Sequence, residues 1–316
     1  MKIAILDDYQ NLACKIADWS ELEGEHEIKV FREHLGARKN VTAALNDYDI
    51  LAVTRERTLL DRATLAALPN LKLIATAGMR NAAIDLEYCK EHGIVVVGTG
   101  GSAQATPELA WGLMLALARH IPTENARMRD GSWITTLGKD LAGSTLGIIG
   151  LGRLGSEMAN IGHAFRMNVI AWSQNLTDEA AAKAGAERVE KAELFRHSDF
   201  ITIHYKLSER SVGLVGAEEL ALMKTDAYLV NTSRGPIVDT DALIIALKDE
   251  RIGGAGIDVY DVEPLPRDHP LRSCPRTVLT PHLGYVSEAT YRMFYTEMVE
   301  GIESWLAGVP VRVICA

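Results

Sequence analysis

The chain has 316 residues, 47% of them hydrophobic and 24% charged, with a formal net charge of −9 and a pI near 5.5. That length suits two domains with full cores. The acidic balance argues against a nucleic-acid partner but still allows a local basic pocket for a small anion. Four scattered cysteines without a C-x-x-C pair, no signal-like start and no apolar run long enough to span a bilayer point to the cytoplasm and away from a membrane.

In chain order, residues 3–6, 27–31, Ile50–Val53, 71–75 and 94–97 read as short apolar strands, with helical spacing over 11–22 and 85–91. Thr99-Gly100-Gly101-Ser102 has linker composition. Thr106-Pro107-Glu108 then opens a long apolar helix to about Arg119, with proline in its first turn. A second alternating series follows, with strands at 146–149, 169–172, about 188–189, 200–204, 227–231, 254–259 and 277–280. A last helix is expected over Glu288–Leu306. Strands alternating with helices predict an α/β protein of two doubly wound parallel-sheet, Rossmann-like domains. The expected division is a discontinuous, flavodoxin-like substrate domain (1–100 plus 284–316) and a dinucleotide-binding domain (101–283). Ligands bind outside the carboxyl ends of such strands, so the active site is expected in the cleft between the domains.

The stretch Leu146-Gly147-Ile148-Ile149-Gly150-Leu151-Gly152-Arg153-Leu154-Gly155 organises the second series. An apolar strand runs into GxGxxG and then into a helix from Ser156. One glycine allows the tight turn, the next lets backbone approach a pyrophosphate, and the third lets helix and strand pack closely. The helix N-terminus offers unpaired N–H groups and partial positive charge. An acid about twenty residues later would bond the ribose and repel a 2′-phosphate. Here the chain reads Ala171-Trp172-Ser173-Gln174-Asn175, with neither acid nor arginine, so NAD and NADP both stay open.

Three further segments place one ionisable residue just beyond an apolar strand. They are Asn231-Thr232-Ser233-Arg234-Gly235-Pro236, Asp258-Val259-Tyr260-Asp261-Val262-Glu263-Pro264 and Thr280-Pro281-His282-Leu283-Gly284. Hydride transfer to a 2-oxo acid needs a fixed cation for the carboxylate and carbonyl oxygen, and a proton donor beside that oxygen. It also needs a carboxylate that orients the donor and favours its charged form. Arg234, His282 and Glu263 are the side-chain types for these roles.

Nearly the whole chain resembles the D-isomer-specific 2-hydroxyacid dehydrogenases. Leu68-Pro69-Asn70-Leu71-Lys72, the glycine turn and the three later motifs carry the resemblance, in family order. It implies that Arg234 binds substrate, that Glu263 pairs with His282, and that His282 is the acid/base. It implies an NAD site, with NADP not excluded, built from Gly150, Gly152, Arg153, Leu154 and Gly155. Ser173, Asn175, His204, Thr232, Ser233 and Thr106 extend that site, and Asp258 faces the nicotinamide carboxamide. It further implies a substrate loop at Gly78, Met79 and Arg80, a small anionic 2-oxo or 2-hydroxy acid as substrate, and a homodimer through the cofactor domains. No metal is implied.

The loop departs from the family pattern. Arg80 replaces a glycine, and Ala82-Ala83 replaces an Asp-Asn pair. Arg55 and Arg57 read in the plainer view as solvated loop charges, and Asp7-Asp8 as turn chemistry. A corepressor-like, cofactor-binding regulator on the same fold is the alternative to an enzyme.

Overall fold

The computed structural model describes residues 1–316. The chain divides into two compact units, Met1–Ser102 with Ser287–Ala316, and Ala103–Val286. The first unit begins with β1 (Lys2–Ile5), β2 (Glu27–Val30), β3 (Ile50–Val53), β4 (Leu73–Thr76) and β5 (Val95–Gly98). The second holds β6 (Thr145–Ile149), β7 (Asn168–Trp172), β8 (Glu187–Arg188), β9 (Phe200–Ile203), β10 (Tyr228–Asn231), β11 (Gly254–Ile257) and β12 (Thr277–Leu279). After the helix Glu288–Leu306, β13 (Val313–Cys315) returns to the first unit's sheet.

The first sheet has the order β13-β5-β4-β3-β1-β2 and the second β12-β11-β10-β9-β6-β7-β8. All neighbours are parallel except β13 against β5. The antiparallel edge is a departure from the wholly parallel expectation. Gly308 at φ +79 ends the long helix, and β13 begins a few residues later. β13 is an edge strand with β5 as its one neighbour in the sheet.

Parallel strands covered on both faces read as continuous apolar runs. β3, β4, β9 and β10 are buried at every position. The second sheet carries a core on each face. Phe195, Leu220, Leu243 and Leu247 belong to one, and Trp111, Met114 and Met158 to the other. In the first unit Leu6, Leu51, Ile74 and Val96 form a core, and the long helix buries Tyr291, Tyr295 and Met298.

Residues 11–22 do not form one helix. The chain makes Ala13–Ile16 and Ser20–Glu25, broken where Ala17 turns extended. Asp8 is turn chemistry, its carboxylate accepting from the N–H groups of Leu12 and Ala13 at 2.9 and 3.0 Å. The helices Arg38–Leu45 and Ile121–Arg129 carry little apolar signal. The first buries Val41 and Leu45 and the second buries nothing.

Candidate active site

In the second unit the strand order reverses between β6 and β9, which is where ligands bind such sheets. Gly150 follows β6 at φ +96, and a methyl there would lie 2.5 Å from the His204 carbonyl oxygen. A methyl on Gly155 would collide with the Gly150 carbonyl. Only glycine lets this turn close. At Gly152, which precedes the helix Arg153–Ala164, a methyl would meet nothing within 4 Å. That face is open. The N–H groups of the helix's first turn, at Arg153, Leu154 and Gly155, have no partner within the helix. Such an end suits a pyrophosphate.

The other predicted cofactor positions lie in the same unit. The Ser173 hydroxyl, just past β7, accepts from the Leu151 N–H at 3.2 Å, so it braces the glycine turn. Asn175 is exposed. His204 follows β9 with Nε2 2.9 Å from the Thr202 hydroxyl, and burial holds its pKa down at about 4, leaving a neutral ring. Ser233 donates to the Tyr205 carbonyl at 2.5 Å. Thr232 is buried, and its hydroxyl has no partner. A buried hydroxyl without a bond is costly, and a dinucleotide passing the ends of β9 and β10 would supply the missing bond. The residues present therefore fit NAD.

Arg234, Glu263 and His282 come from the turns after β10, β11 and β12. Asn231, the last residue of β10, shapes the arginine turn. Its carboxamide donates to the Arg234 carbonyl at 3.0 Å and accepts from the Ser233 N–H at 3.0 Å. Arg234 Nη1 donates to the Ser233 carbonyl at 2.7 Å. His282 adopts φ +54, and its Nδ1 lies 2.6 Å from Glu263 Oε2. The other Glu263 oxygen accepts from the Tyr260 N–H at 2.9 Å. That contact occupies Nδ1 and leaves Nε2 outside the pair.

Asp258 is fully buried. One carboxylate oxygen accepts from the Thr280 hydroxyl at 2.6 Å and the Leu283 N–H at 2.7 Å, and the other from the Gly284 N–H at 2.8 Å. Desolvation raises its pKa, opposed by these three donors and by His282. Thr106 donates to the Gly284 carbonyl at 2.9 Å.

Sequence reasoning missed Tyr260. Its hydroxyl donates to the carbonyls of Ile257 and Thr280 at 3.1 and 2.9 Å, and burial raises its pKa. The only signal was its place between Asp258 and Glu263.

Gly78, Met79 and Arg80 follow β4 in the first unit. Gly78 has φ +83, and its N–H donates to Thr99 Oγ1 at 2.8 Å. Met79 and Arg80 are exposed. Arg55 and Arg57 are not solvated charges. Arg55 covers Gly78 and donates to the carbonyls of Ala77 and Arg80 at 3.3 and 3.4 Å. Arg57 donates to the Asp7 carbonyl at 2.7 Å and the Tyr291 hydroxyl at 2.9 Å. Both turn inward because strand-end carbonyls need donors there.

The second unit is thus a Rossmann-type dinucleotide-binding domain carrying a hydrogen-bonded His282–Glu263 pair. Residues 111–284 match the family model described as the NAD-binding domain of D-isomer-specific 2-hydroxyacid dehydrogenases. The chain is 36% identical over 312 residues to D-3-phosphoglycerate dehydrogenase of Methanocaldococcus jannaschii, covering 98% of this chain and 58% of the relative. It is 37% identical over 289 residues to hydroxypyruvate reductase of Thermotoga maritima, covering 89% of this chain and 92% of the relative. A phosphoglycerate oxidoreductase structure from Vibrio cholerae superposes with a TM-score of 0.92 at 35% identity, covering 98% of this chain and 99% of that one. The chain belongs to the D-isomer-specific 2-hydroxyacid dehydrogenase family. It spans little more than half the length of the Methanocaldococcus relative. No helix is long and apolar enough to cross a membrane.

Proposed function

We propose that this protein is an NAD-dependent oxidoreductase interconverting a small anionic 2-oxo acid and its D-2-hydroxy acid. The observation that carries this reading is the His282–Glu263 pair at 2.6 Å, on the same unit as the open glycine turn. When bound, NADH supplies the hydride. Arg234 holds the substrate carboxylate and polarises its carbonyl oxygen. His282, protonated, gives the Nε2 proton to that oxygen while Nδ1–H stays on Glu263. In the oxidative direction the neutral ring takes the proton back. The loop of Gly78, Met79 and Arg80 is the remaining candidate contact with substrate. Replacing Arg80 with Ala should then raise KM for glyoxylate, hydroxypyruvate or a dicarboxylic 2-oxo acid, whereas three unchanged values would assign it to the surface.

The test is an NADH binding titration followed by turnover on a panel of 2-oxo acids. Binding without turnover would favour the regulatory alternative. We also infer a homodimer through the NAD-binding unit. Trp133, Ile134 and Leu137 are 74%, 78% and 92% exposed, and Met128 and Ile121 add to the patch. Apolar exposure on this scale marks an interaction surface. Sedimentation of Leu137→Glu should give a monomer where the wild type is a dimer. The four cysteines form no disulfide, which suits the reducing cytoplasm as the location.

A further inference from the structure

The turn that carries Glu263 also holds the loop that carries His282, and it does so at five points. The Asp258 carboxylate takes the Thr280 hydroxyl and the N–H groups of Leu283 and Gly284. The Asp258 carbonyl takes the His282 N–H at 2.8 Å. The Tyr260 hydroxyl donates to the Thr280 carbonyl. His282 itself sits at φ +54, a conformation that a non-glycine residue keeps only where its surroundings enforce it. Residues on both sides of His282 are tied to one buried carboxylate, so that carboxylate sets where the ring stands.

We propose that Asp258 is a positioning residue for proton transfer: it latches residues 280–284 and thereby delivers the His282 ring to Glu263. This rests on the oxidoreductase reading and deepens it. The resemblance assigned Asp258 to the nicotinamide carboxamide. The geometry gives its carboxylate three internal donors, two of them on one oxygen. Asparagine cannot reproduce this. Whichever way its amide is turned, an NH2 group faces either the Leu283 N–H or the Gly284 N–H, and one loop amide loses its acceptor. Thr280 supplies an independent probe, because valine keeps its shape and removes the hydroxyl, whereas serine keeps the hydroxyl.

The experiment combines amide hydrogen exchange with kinetics on the intact chain. In Asp258→Asn, the Leu283 and Gly284 amides should exchange at least about tenfold faster than in wild type. The kcat for 2-oxo acid reduction should fall at least about tenfold, and the NADH dissociation constant should change by less than about threefold. Thr280→Val should move exchange and kcat in the same direction by a smaller factor, and Thr280→Ser should restore both. Unchanged exchange in both Asp258→Asn and Thr280→Val would overturn the latch. So would weakened NADH binding with kcat intact at saturating cofactor, which is the signature of carboxamide recognition. If Asp258→Asn does not fold, the Thr280 pair decides. Exchange needs no substrate, so a wild type that turns over no 2-oxo acid would refute the proposed activity and leave the latch to be judged separately.

Discussion

Glu263→Gln is the sharpest test of the acid/base pair, because the structure fixes what the amide must do. One Glu263 oxygen faces His282 Nδ1 at 2.6 Å and the other faces the Tyr260 N–H at 2.9 Å. A glutamine that keeps its oxygen on Tyr260 turns its NH2 toward Nδ1. The ring then holds its neutral proton on Nε2 and cannot keep a donor on Nδ1. A glutamine that keeps its oxygen on Nδ1 turns its NH2 against the Tyr260 N–H. Either arrangement removes the charged acceptor from the imidazolium that reduction requires. A hydrogen bond to a charged group contributes about 1.5–3 kcal/mol, or about 10- to 150-fold in rate. Side-chain exposures of 21% for His282 and 34% for Glu263 admit solvent screening, so the lower end applies, near tenfold. The assay is kcat for 2-oxo acid reduction at pH 7 with saturating NADH, accompanied by the NADH dissociation constant and the melting temperature. The expected result is a fall of about tenfold or more in kcat, with binding and melting unchanged. A variant within twofold of wild type would mean that Glu263 does not hold the proton donor.

His204 makes stability depend on acid. Its pKa is 6.5 as a free side chain and about 4 in the fold, so between those values the unfolded chain binds the extra proton. Stability is complete above pH 6.5 and declines as pH falls toward 4, by about 3 kcal/mol in all. Guanidinium unfolding midpoints at pH 7.5 and 4.5 should show this, and His204→Gln should lose that part of the slope; an identical slope would refute the account. Gly152→Ala should fold normally and weaken NADH binding at least about tenfold by titration. Gly155→Ala, whose methyl meets the Gly150 carbonyl, should lower the melting temperature as well. Arg55→Ala should loosen the backbone at Gly78 and raise KM for the 2-oxo acid severalfold with the NADH dissociation constant unchanged, as read by steady-state kinetics and titration.

Strands were legible where burial on both faces forces a continuous apolar run. Ile50–Val53 was read with its observed bounds, and β9, β10 and β12 within a residue or two. The helix Glu288–Leu306 was legible because one face buries Tyr291, Tyr295, Met298 and Ile302 along its length. Ile121–Arg129 was not, because it buries no side chain and has no apolar stripe to find. The antiparallel β13 escaped for a related reason: Val313 is exposed, and Ile314 and Cys315 are only partly buried. At the site, the pairing of Glu263 with His282 was implied by the sequence's resemblance and is present in the fold. The braces were not implied. Tyr260 acts through its phenol on a carbonyl twenty residues away, and no local spacing encodes that contact. Arg55 and Arg57 look like solvated charges in a string of letters, because the carbonyls they satisfy lie in loops that follow β1 and β4.

The two sheets obey one topological rule and put it to different uses. In each, the strand order reverses next to the first strand: between β1 and β3 in the first unit, and between β6 and β9 in the second. A crevice for a ligand is expected at both points. In the first unit side chains bond to one another across that point. Arg57 bonds the Asp7 carbonyl and Tyr291 and stacks 4.7 Å over the Tyr9 ring, while the Thr58 hydroxyl donates to the Asp7 carboxylate at 2.5 Å. In the second unit glycine removes the side chains that would do the same. Gly150 and Gly155 bring backbone against backbone, and Gly152 leaves an open face at a helix N-terminus. A doubly wound sheet therefore does not by itself specify a nucleotide site. What separates the two crevices is whether the loop after the first strand ends in Asp-Asp-Tyr, whose carboxylates fold back onto the protein, or in Gly-Leu-Gly, which has nothing to fold back.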